Sequence, residues 1–333
     1  MPPLTRRYVT AHSVAVTVDA TAARLTSCPR GDKMIDDRQL DAIRRAKAAQ
    51  IDTAVPNAAR VADFLNGRRN NFEADRRAAR VMLAAAPAIA AVVPAILAFH
   101  QRAVRFLARE ARIRQFLDIG TGIPGMETSR DIAQAVDPAC RVVYVDNDPM
   151  VLSYVRAFSR STSQGAIAAL EGKLTDPAAL LAGAAATLDF RQPVAVLLPS
   201  TLPFIPATAR AADALSTLLA ALPAGSYLAL CHVASDLDPA LGAGVDHWNR
   251  MSSLQCTLRS RAEVAVLTAG LDLVEPGLVP VNQWRPASAG TGLDPPVPAY
   301  AVLARKPGRP VRFRGAGAGA SRARAPRPRR SSA

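Results

Sequence analysis

Cysteine is scarce and scattered in this chain, and the scarcity removes two classes of protein at once. Cys28, Cys140, Cys231 and Cys256 form no CxxC pair, so their spacing suggests neither a zinc site nor the disulfide framework of a small secreted domain. Two of them fall within apolar runs that read as strands or strand starts, which fits a reducing cytoplasm. The first thirty residues lack an unbroken apolar stretch behind Arg6 and Arg7, because His12, Ser13, Thr17 and Asp19 interrupt it; no secretory signal is expected. The Ala-rich segment 81–99 carries Pro87 and Pro94, so it reads as a buried or capping helix and not as a membrane span. Acidic residues are missing from residues 305–333, where ten basic residues sit, and the rest of the chain carries only +4 of the net charge of +14. This Arg-rich tail is the one place where nucleic acid is a candidate partner. Phe313 is its single aromatic residue, too little for base stacking, so a solvated tail is the preferred reading.

What is present is a chain of 333 residues that is half hydrophobic, ample for a core. Residues 1–35 show no sustained period and read as a disordered leader. Residues 36–110 read as an N-terminal helical cap, with helical patterns at 36–50, 59–67 and 72–86 and a last helix ending at Arg109. From residue 111 to 306 apolar runs alternate with helical segments: IRQFLD (113–118), RVVYVD (141–146), GAIAAL (165–170), PVAVLL (193–198), SYLALCHV (226–233), then LDLVEPGLV (271–279) and YAVLARK (300–306). Runs that are apolar throughout, separated by helices, predict an α/β fold with a mostly parallel sheet covered on both faces. PASAGTGLDPPVP (286–298) reads as a loop, and residues 307–333 as a disordered, low-complexity tail.

In such a sheet the ligand crevice lies beyond the carboxyl ends of the strands, which directs attention to the residues ending them. The first run ends in Asp118-Ile119-Gly120-Thr121-Gly122 and the second in Asp146-Asn147-Asp148. Gly120 and Gly122 permit positive φ and close backbone approach, and Asp146 is placed to accept from both hydroxyls of a ribose. Gly-x-Gly alone is a weak signal; the acidic strand end one βαβ unit later strengthens it. A dinucleotide fingerprint would continue into a regular helix facing a pyrophosphate, but here Pro124 intrudes. The proline-bent loop better suits a nucleoside without phosphate. S-adenosylmethionine is such a ligand, and Asp118 is placed to receive its α-ammonium.

Four stretches carry a resemblance: IDTAVPNAARVADFLNGRRNNFEADR (51–76), RAVRFLAREARIRQFLDIGTGIP (102–124), AVDPACRVVYVDNDPMVL (135–152) and RSRAEVAVLTAGLDLVEPGLVPVNQWRP (259–286). Over roughly residues 36–306 the chain resembles the actinobacterial S-adenosylmethionine-dependent methyltransferases of unassigned substrate, a family once described as a domain of unknown function. The resemblance implies a class I, Rossmann-like methyltransferase fold with a seven-stranded sheet whose last strand is antiparallel. It implies further that Asp118, Gly120 and Gly122 form the cofactor loop, that Asp146 is the ribose acid, and that Asn147 lies along the adenine edge. Arg60, Asp63, Asn71, Phe72, Asp75 and Arg76 match the family's helical signature and are expected to cap the cofactor. The chain departs from the family where an aspartate in a context like QADLRDP is replaced by Lys173 in EGKLTDP, and an ammonium cannot accept from the adenine amine. It departs again in Ala62-Asp63-Phe64, in Gly67-Arg68-Arg69-Asn70-Asn71, and at Pro203, where a histidine is common.

Methyl transfer from a sulfonium needs alignment and exclusion of water more than a fixed acid or base. His232 at the end of the fifth run is the candidate base, with Asp236 nearby, and Asp246-His247-Trp248 is a candidate lining of the acceptor pocket. The expected activity is methylation of a small-molecule acceptor in the cytoplasm. The rival is a catalytically weakened nucleoside-binding or nucleic-acid-associated protein, favoured by Lys173 and the tail and opposed by the low charge of the core.

Overall fold

The computed structural model describes residues 51–125, 127–286 and 295–308. The expected leader 1–35, the helical pattern 36–50, most of the loop 286–298 and the tail beyond Gly308 lie outside the described residues.

Among the described residues one sheet holds β1 (Gln115–Ile119), β2 (Arg141–Asp146), β3 (Ala166–Glu171), β4 (Ala195–Leu198), β5 (Tyr227–Val233), β6 (Asp272–Leu273), β7 (Val279–Pro280) and β8 (Ala299–Arg305). The order is β3-β2-β1-β4-β5-β8-β6, with β7 also paired to β8. β1 to β5 are mutually parallel, and β8 runs antiparallel to β5, β6 and β7. This is the seven-position, mostly parallel sheet expected, with one correction. The run 271–279 is not a single strand: Pro276 brings no N–H for a ladder, Gly277 turns the chain at φ 83, and the outermost position is shared between β6 and β7.

Among the described residues three helices precede the sheet: α1 (Ala58–Leu65), α2 (Glu73–Ala85) and α3 (Ile89–Arg109). Each boundary has a local cause. The Asn57 side chain accepts from the backbone N–H of Ala59 and Arg60 to start α1, and Asp75 accepts from the Phe72 N–H to start α2, satisfying donors a helix leaves orphaned. Pro87 falls in the break between α2 and α3, so the Ala-rich stretch read from sequence is two helices. α3 is long and apolar enough to cross a membrane, but Val92, Ile96, Phe99, Val104 and Leu107 are buried in the same core as β1, β2, β5 and β8. Trp284 fixes its outer end, standing edge-on to Phe99 with ring centroids 5.2 Å apart, while Arg102 donates to the Trp284 carbonyl.

The crossovers are α4 (Ser129–Val136), α5 (Pro149–Phe158), α6 (Pro177–Ala184), α7 (Thr208–Ala220), α8 (Leu241–Met251) and α9 (Arg261–Val266). α3, α4 and α5 pack on one face of the sheet and α6, α7 and α9 on the other, which is why the parallel strands are apolar on both sides. β1 is buried at all five positions. α8 instead packs against the cap: Val61, Ala78, Ala79 and Trp248 form a separate small core.

Candidate active site

Strand order reverses between β1 and β4, and the crevice at such a point is where α/β sheets hold ligands. A cavity of about 480 Å³ opens there, walled by the carboxyl ends of β1 and β2, the loops after β3 and β4, and the cap helices. The glycine loop is built differently at its two glycines. Gly120 has φ 73, and a Cβ there would come 2.1 Å from the Thr201 hydroxyl, which is itself tied to the Ile119 carbonyl at 2.6 Å. Gly122 has φ 67 with nothing within 4 Å of a Cβ: its missing side chain leaves free space in the cavity wall. The Gly122 N–H donates to Asp146 Oδ2 at 3.1 Å, and the Asp148 N–H to Asp146 Oδ1 at 3.0 Å, so the second carboxylate is oriented with one lone pair per oxygen still available. Burial pushes the Asp146 carboxyl above its ordinary range, with these backbone bonds opposing the shift.

Asp118 is more deeply buried. Its Oδ2 accepts from the Ser129 hydroxyl at 2.5 Å and lies 3.5 Å from His100 Nε2. Its Oδ1 has no hydrogen-bond partner among the described residues. Burial raises this carboxyl, with His100 and the Ser129 hydrogen bond pulling the other way. A buried acceptor without a donor is costly, and the α-ammonium of S-adenosylmethionine is a cation that would satisfy it. Together with the open space at Gly122, that orphan oxygen is the structural sign that the residues present fit this cofactor.

Six of the residues singled out from sequence, Asp118, Gly120, Gly122, Asp146, Asn147 and Lys173, line this one cavity. Asn147 and Lys173 are exposed. Four others are not there. Arg60 is turned away: its guanidinium pairs with Asp75 at 3.0 Å, donates to the carbonyls of Asp52 and Val55, and stacks over Phe72. It joins the chain before α1 to the start of α2, and Phe72 packs beneath it. Asn71 donates to Asp63 and to the Arg68 carbonyl and accepts from Arg76, closing the α1–α2 turn. His232 is fully buried: Nδ1 meets the Val233 carbonyl and Nε2 meets Arg259 at 2.5 Å. Both ring nitrogens are occupied and burial pushes its pKa down to about 4, so it is a neutral structural partner of Arg259 and not a base at the crevice. Arg259 spends its remaining donors on the carbonyls of Leu202, Ile205 and Pro206 and on the Thr208 hydroxyl, holding the loop after β4. Asp236 is likewise committed, to Tyr300 and the Arg261 N–H. Of Asp246-His247-Trp248, Trp248 lines the cavity and Asp246 is exposed. Pro203 lines it too.

Asp63, one of the six residues read as capping the cofactor, lines the cavity with Oδ2 held by the Asn70 N–H and by Asn71, while Oδ1 is buried without a hydrogen-bond partner among the described residues, and burial raises its carboxyl. The structure also adds residues that sequence reasoning left out of the site. Arg68 reaches from the α1–α2 turn to the Ile123 carbonyl, and Asn57 from the start of α1 to Asp148 at 2.6 Å; these bonds fasten the cap to the loops after β1 and β2. His100 and Ser129 were missed because nothing marks a lone histidine or serine until the fold brings them to Asp118. The one available signal was spacing: Ile89, Val92, Val93, Ile96 and Leu97 share an α3 face, and the next position on it is His100.

A sheet of this order with its antiparallel β8, a glycine turn after β1 and an acid ending β2 defines a class I S-adenosylmethionine-dependent methyltransferase. The chain belongs to the S-adenosyl methyltransferase family, whose model matches residues 44–307. A DUF574 family protein of Streptomyces avermitilis is similar at 38% identity, with a TM-score of 0.74 over 78% of this chain and 100% of that one. A Thermobifida fusca structure, whose description proposes a methyltransferase, is 31% identical with a TM-score of 0.71 over 77% of this chain and 97% of that one. No curated protein matches the chain.

Proposed function

We propose that this S-adenosylmethionine-dependent methyltransferase transfers the methyl group in line to a small-molecule acceptor held under the helical cap. The observation that carries the reading is the division of the cavity wall. Asp118, Gly122 and Asp146 stand at the strand ends, whereas Met82, Ile89, Val92, Ile96, Leu241 and Trp248 supply an apolar wall from α2, α3 and α8. An apolar-walled cleft of this kind suits a small molecule, and a nucleic-acid acceptor would call for a cationic surface that these helices do not present to it.

Bound S-adenosylmethionine supplies an electrophilic methyl on a sulfonium. The residues of this chain bind, orient and exclude water. Asp118 would take the ammonium, the open face at Gly122 would admit the ligand backbone, Asp146 would accept from the ribose hydroxyls, and Asn147 and Lys173 would border the adenine end. The described cap helices α1 to α3 wall the cavity beside the strand ends and would limit water at the reacting centre. Placement in the cytoplasm accords with the scattered cysteines.

Calorimetry with S-adenosylmethionine and S-adenosylhomocysteine tests the site, and transfer of isotope-labelled methyl to small molecules from a cell extract tests the acceptor class. Absence of binding by either nucleoside overturns the site; label appearing only in RNA, DNA or protein overturns the acceptor class.

A further inference from the structure

The apolar stripe that α3 turns to the cavity does not end in an apolar residue. It runs through Ile89, Val92, Ile96 and Leu97 and closes on His100, all of them in the cavity wall, so His100 stands where the apolar chamber meets Asp118. Its Nε2 is 2.7 Å from the Ser129 hydroxyl, which is 2.5 Å from Asp118 Oδ2. Ionised, Asp118 can only accept, so the serine hydrogen goes to it and the serine oxygen must receive a hydrogen from His100. That fixes the proton on Nε2 and leaves Nδ1 a bare acceptor. Nδ1 has no hydrogen-bond partner among the described residues and is not among their sealed-off polar atoms, although the residue as a whole is buried at 9% exposure. A chain of carboxylate, hydroxyl and imidazole with its far nitrogen open to a cavity is the arrangement of a general base held by an orienting group.

Resting on the methyltransferase reading above, we propose that His100 Nδ1 removes the proton of the acceptor's nucleophile, and that the acceptor is a largely apolar molecule reacting through a weakly acidic hydroxyl such as a phenol. The wall residues contributed by α2, α3 and α8 include no lysine or arginine, so nothing there would pair with an acceptor that arrives as a carboxylate. A hydroxyl, in contrast, keeps its proton until the oxygen attacks and needs a base within reach. In the step, the O–H proton passes to Nδ1 and the oxygen forms a bond to the methyl carbon. The carbon–sulfur bond breaks with its electron pair remaining on sulfur, leaving a methyl ether, S-adenosylhomocysteine and an imidazolium that later returns its proton to water. The imidazolium is stabilised by Asp118, 3.5 Å from Nε2. Other ionisable groups on the elements around His100 are Glu127, paired with Arg105 of α3 at 3.3 Å, Arg130 and Asp131 of α4, paired with each other at 2.9 Å, Arg102 of α3, bonded to the Trp284 and Val281 carbonyls, Tyr144 of β2, whose hydroxyl accepts from the Arg130 N–H, and Asp63 of α1.

Two readouts test this without a known substrate. Imidazole nitrogen NMR on the 15N-labelled full chain, with the His100 signals identified by their loss in His100→Gln, should show Nε2–H with Nδ1 unprotonated in the absence of any ligand. Ser129→Ala should disturb that preference. The second readout uses 4-nitrophenol, whose phenolate absorbs visible light and whose phenol does not, added to the S-adenosylhomocysteine complex. Binding should raise the phenolate band and move Nδ1 toward its protonated shift, and the band per bound probe should fall at least fivefold in His100→Gln. An Nδ1–H form in the free protein, failure of the probe to bind, or a phenolate band unchanged in His100→Gln each overturns the proposal. Failure of S-adenosylhomocysteine to bind the wild type would instead overturn the cofactor site, while the ligand-free tautomer still reports on His100.

Discussion

Adding one methyl group to each glycine of the β1 turn should separate folding from binding. Both residues have positive φ, 73 at Gly120 and 67 at Gly122, so either alanine meets backbone strain of about 1 to 2 kcal/mol. Reduced freedom of the unfolded chain returns about 0.4 to 1 kcal/mol of it. At Gly122 nothing else is touched, and Gly122→Ala should lose about 1 kcal/mol of stability on those two contributions. At Gly120 the new Cβ falls 2.1 Å from the Thr201 hydroxyl and 3.2 Å from its Cβ. Thr201 must turn, giving up its bond to the Ile119 carbonyl, worth about 0.5 to 1.5 kcal/mol, and the crowding adds about 1 to 3 kcal/mol. Gly120→Ala should therefore cost about 2 to 5 kcal/mol in total, part of it recovered by Thr201→Ala in the same chain. Binding should follow the opposite order relative to stability. In the proposed site the Gly122 methyl would occupy space left for the cofactor, so S-adenosylhomocysteine should bind at least tenfold more weakly, about 1.4 kcal/mol, to a protein that unfolds almost normally. Urea titration and calorimetry measure the two quantities. Full affinity in Gly122→Ala, or equal stability of the two variants, would refute the assignment of one glycine to packing and the other to the ligand.

Asp146→Ala should weaken S-adenosylhomocysteine binding at least tenfold by calorimetry, since a charge-assisted contact to both ribose hydroxyls is worth about 1.5 to 3 kcal/mol; unchanged affinity removes the ribose assignment. Lys173→Asp should tighten binding tenfold or more by restoring an acceptor for the adenine amine, and a neutral or harmful effect would mean that the loop after β3 serves adenine in another way. His232 should make the fold acid-sensitive: burial pushes its pKa in the folded chain down to about 4 from an ordinary value of 6.5, so the unfolded chain takes up the proton first. Stability is then intact above about pH 6.5 and falls as pH drops toward 4, by up to about 3 kcal/mol. Urea midpoints at pH 7 and 4.5 should separate less in His232→Asn than in the wild type, and an equal separation would discard the linkage.

The sheet was legible because its strands are apolar on both faces, and RVVYVD coincides with β2 residue for residue. Its outer edge was misread for a local reason, since LDLVEPGLV has the composition of a strand while Pro276 and Gly277 interrupt the ladder. The strand-end residues Asp118, Gly120, Gly122 and Asp146 were legible because a parallel sheet brings the ends of neighbouring strands together whatever the loops do. His232 misled because its position satisfies the same rule. What disqualifies it is Arg259, 27 residues later in the chain, and no local pattern announces that partner. His100 was hidden by the reverse effect: it sits in a cap helix, outside the strand ends altogether, and acquires meaning only from Ser129 and Asp118.

The cap signature divides by position on the helix, and the division says what the cap does. Arg60 lies on the face of α1 turned from the cavity and, with Asp75, Asn71 and Phe72, holds α1 and α2 to one another. Ala62 and Asp63 lie on the face turned toward it. Asn57 and Arg68, at the two ends of this unit, bond to the loop after β2 and to the loop after β1, and Tyr154 of α5 donates to Asn70 between them. The roof is thus tied to the two loops proposed to face the cofactor, while Val61 on the same helix packs against Trp248 of the proposed acceptor wall. A ligand that moves either loop must move α1, and α1 cannot move without shifting Trp248. Cofactor and acceptor should accordingly bind with coupled affinities, through a rigid helix eight residues long that both halves of the cavity share.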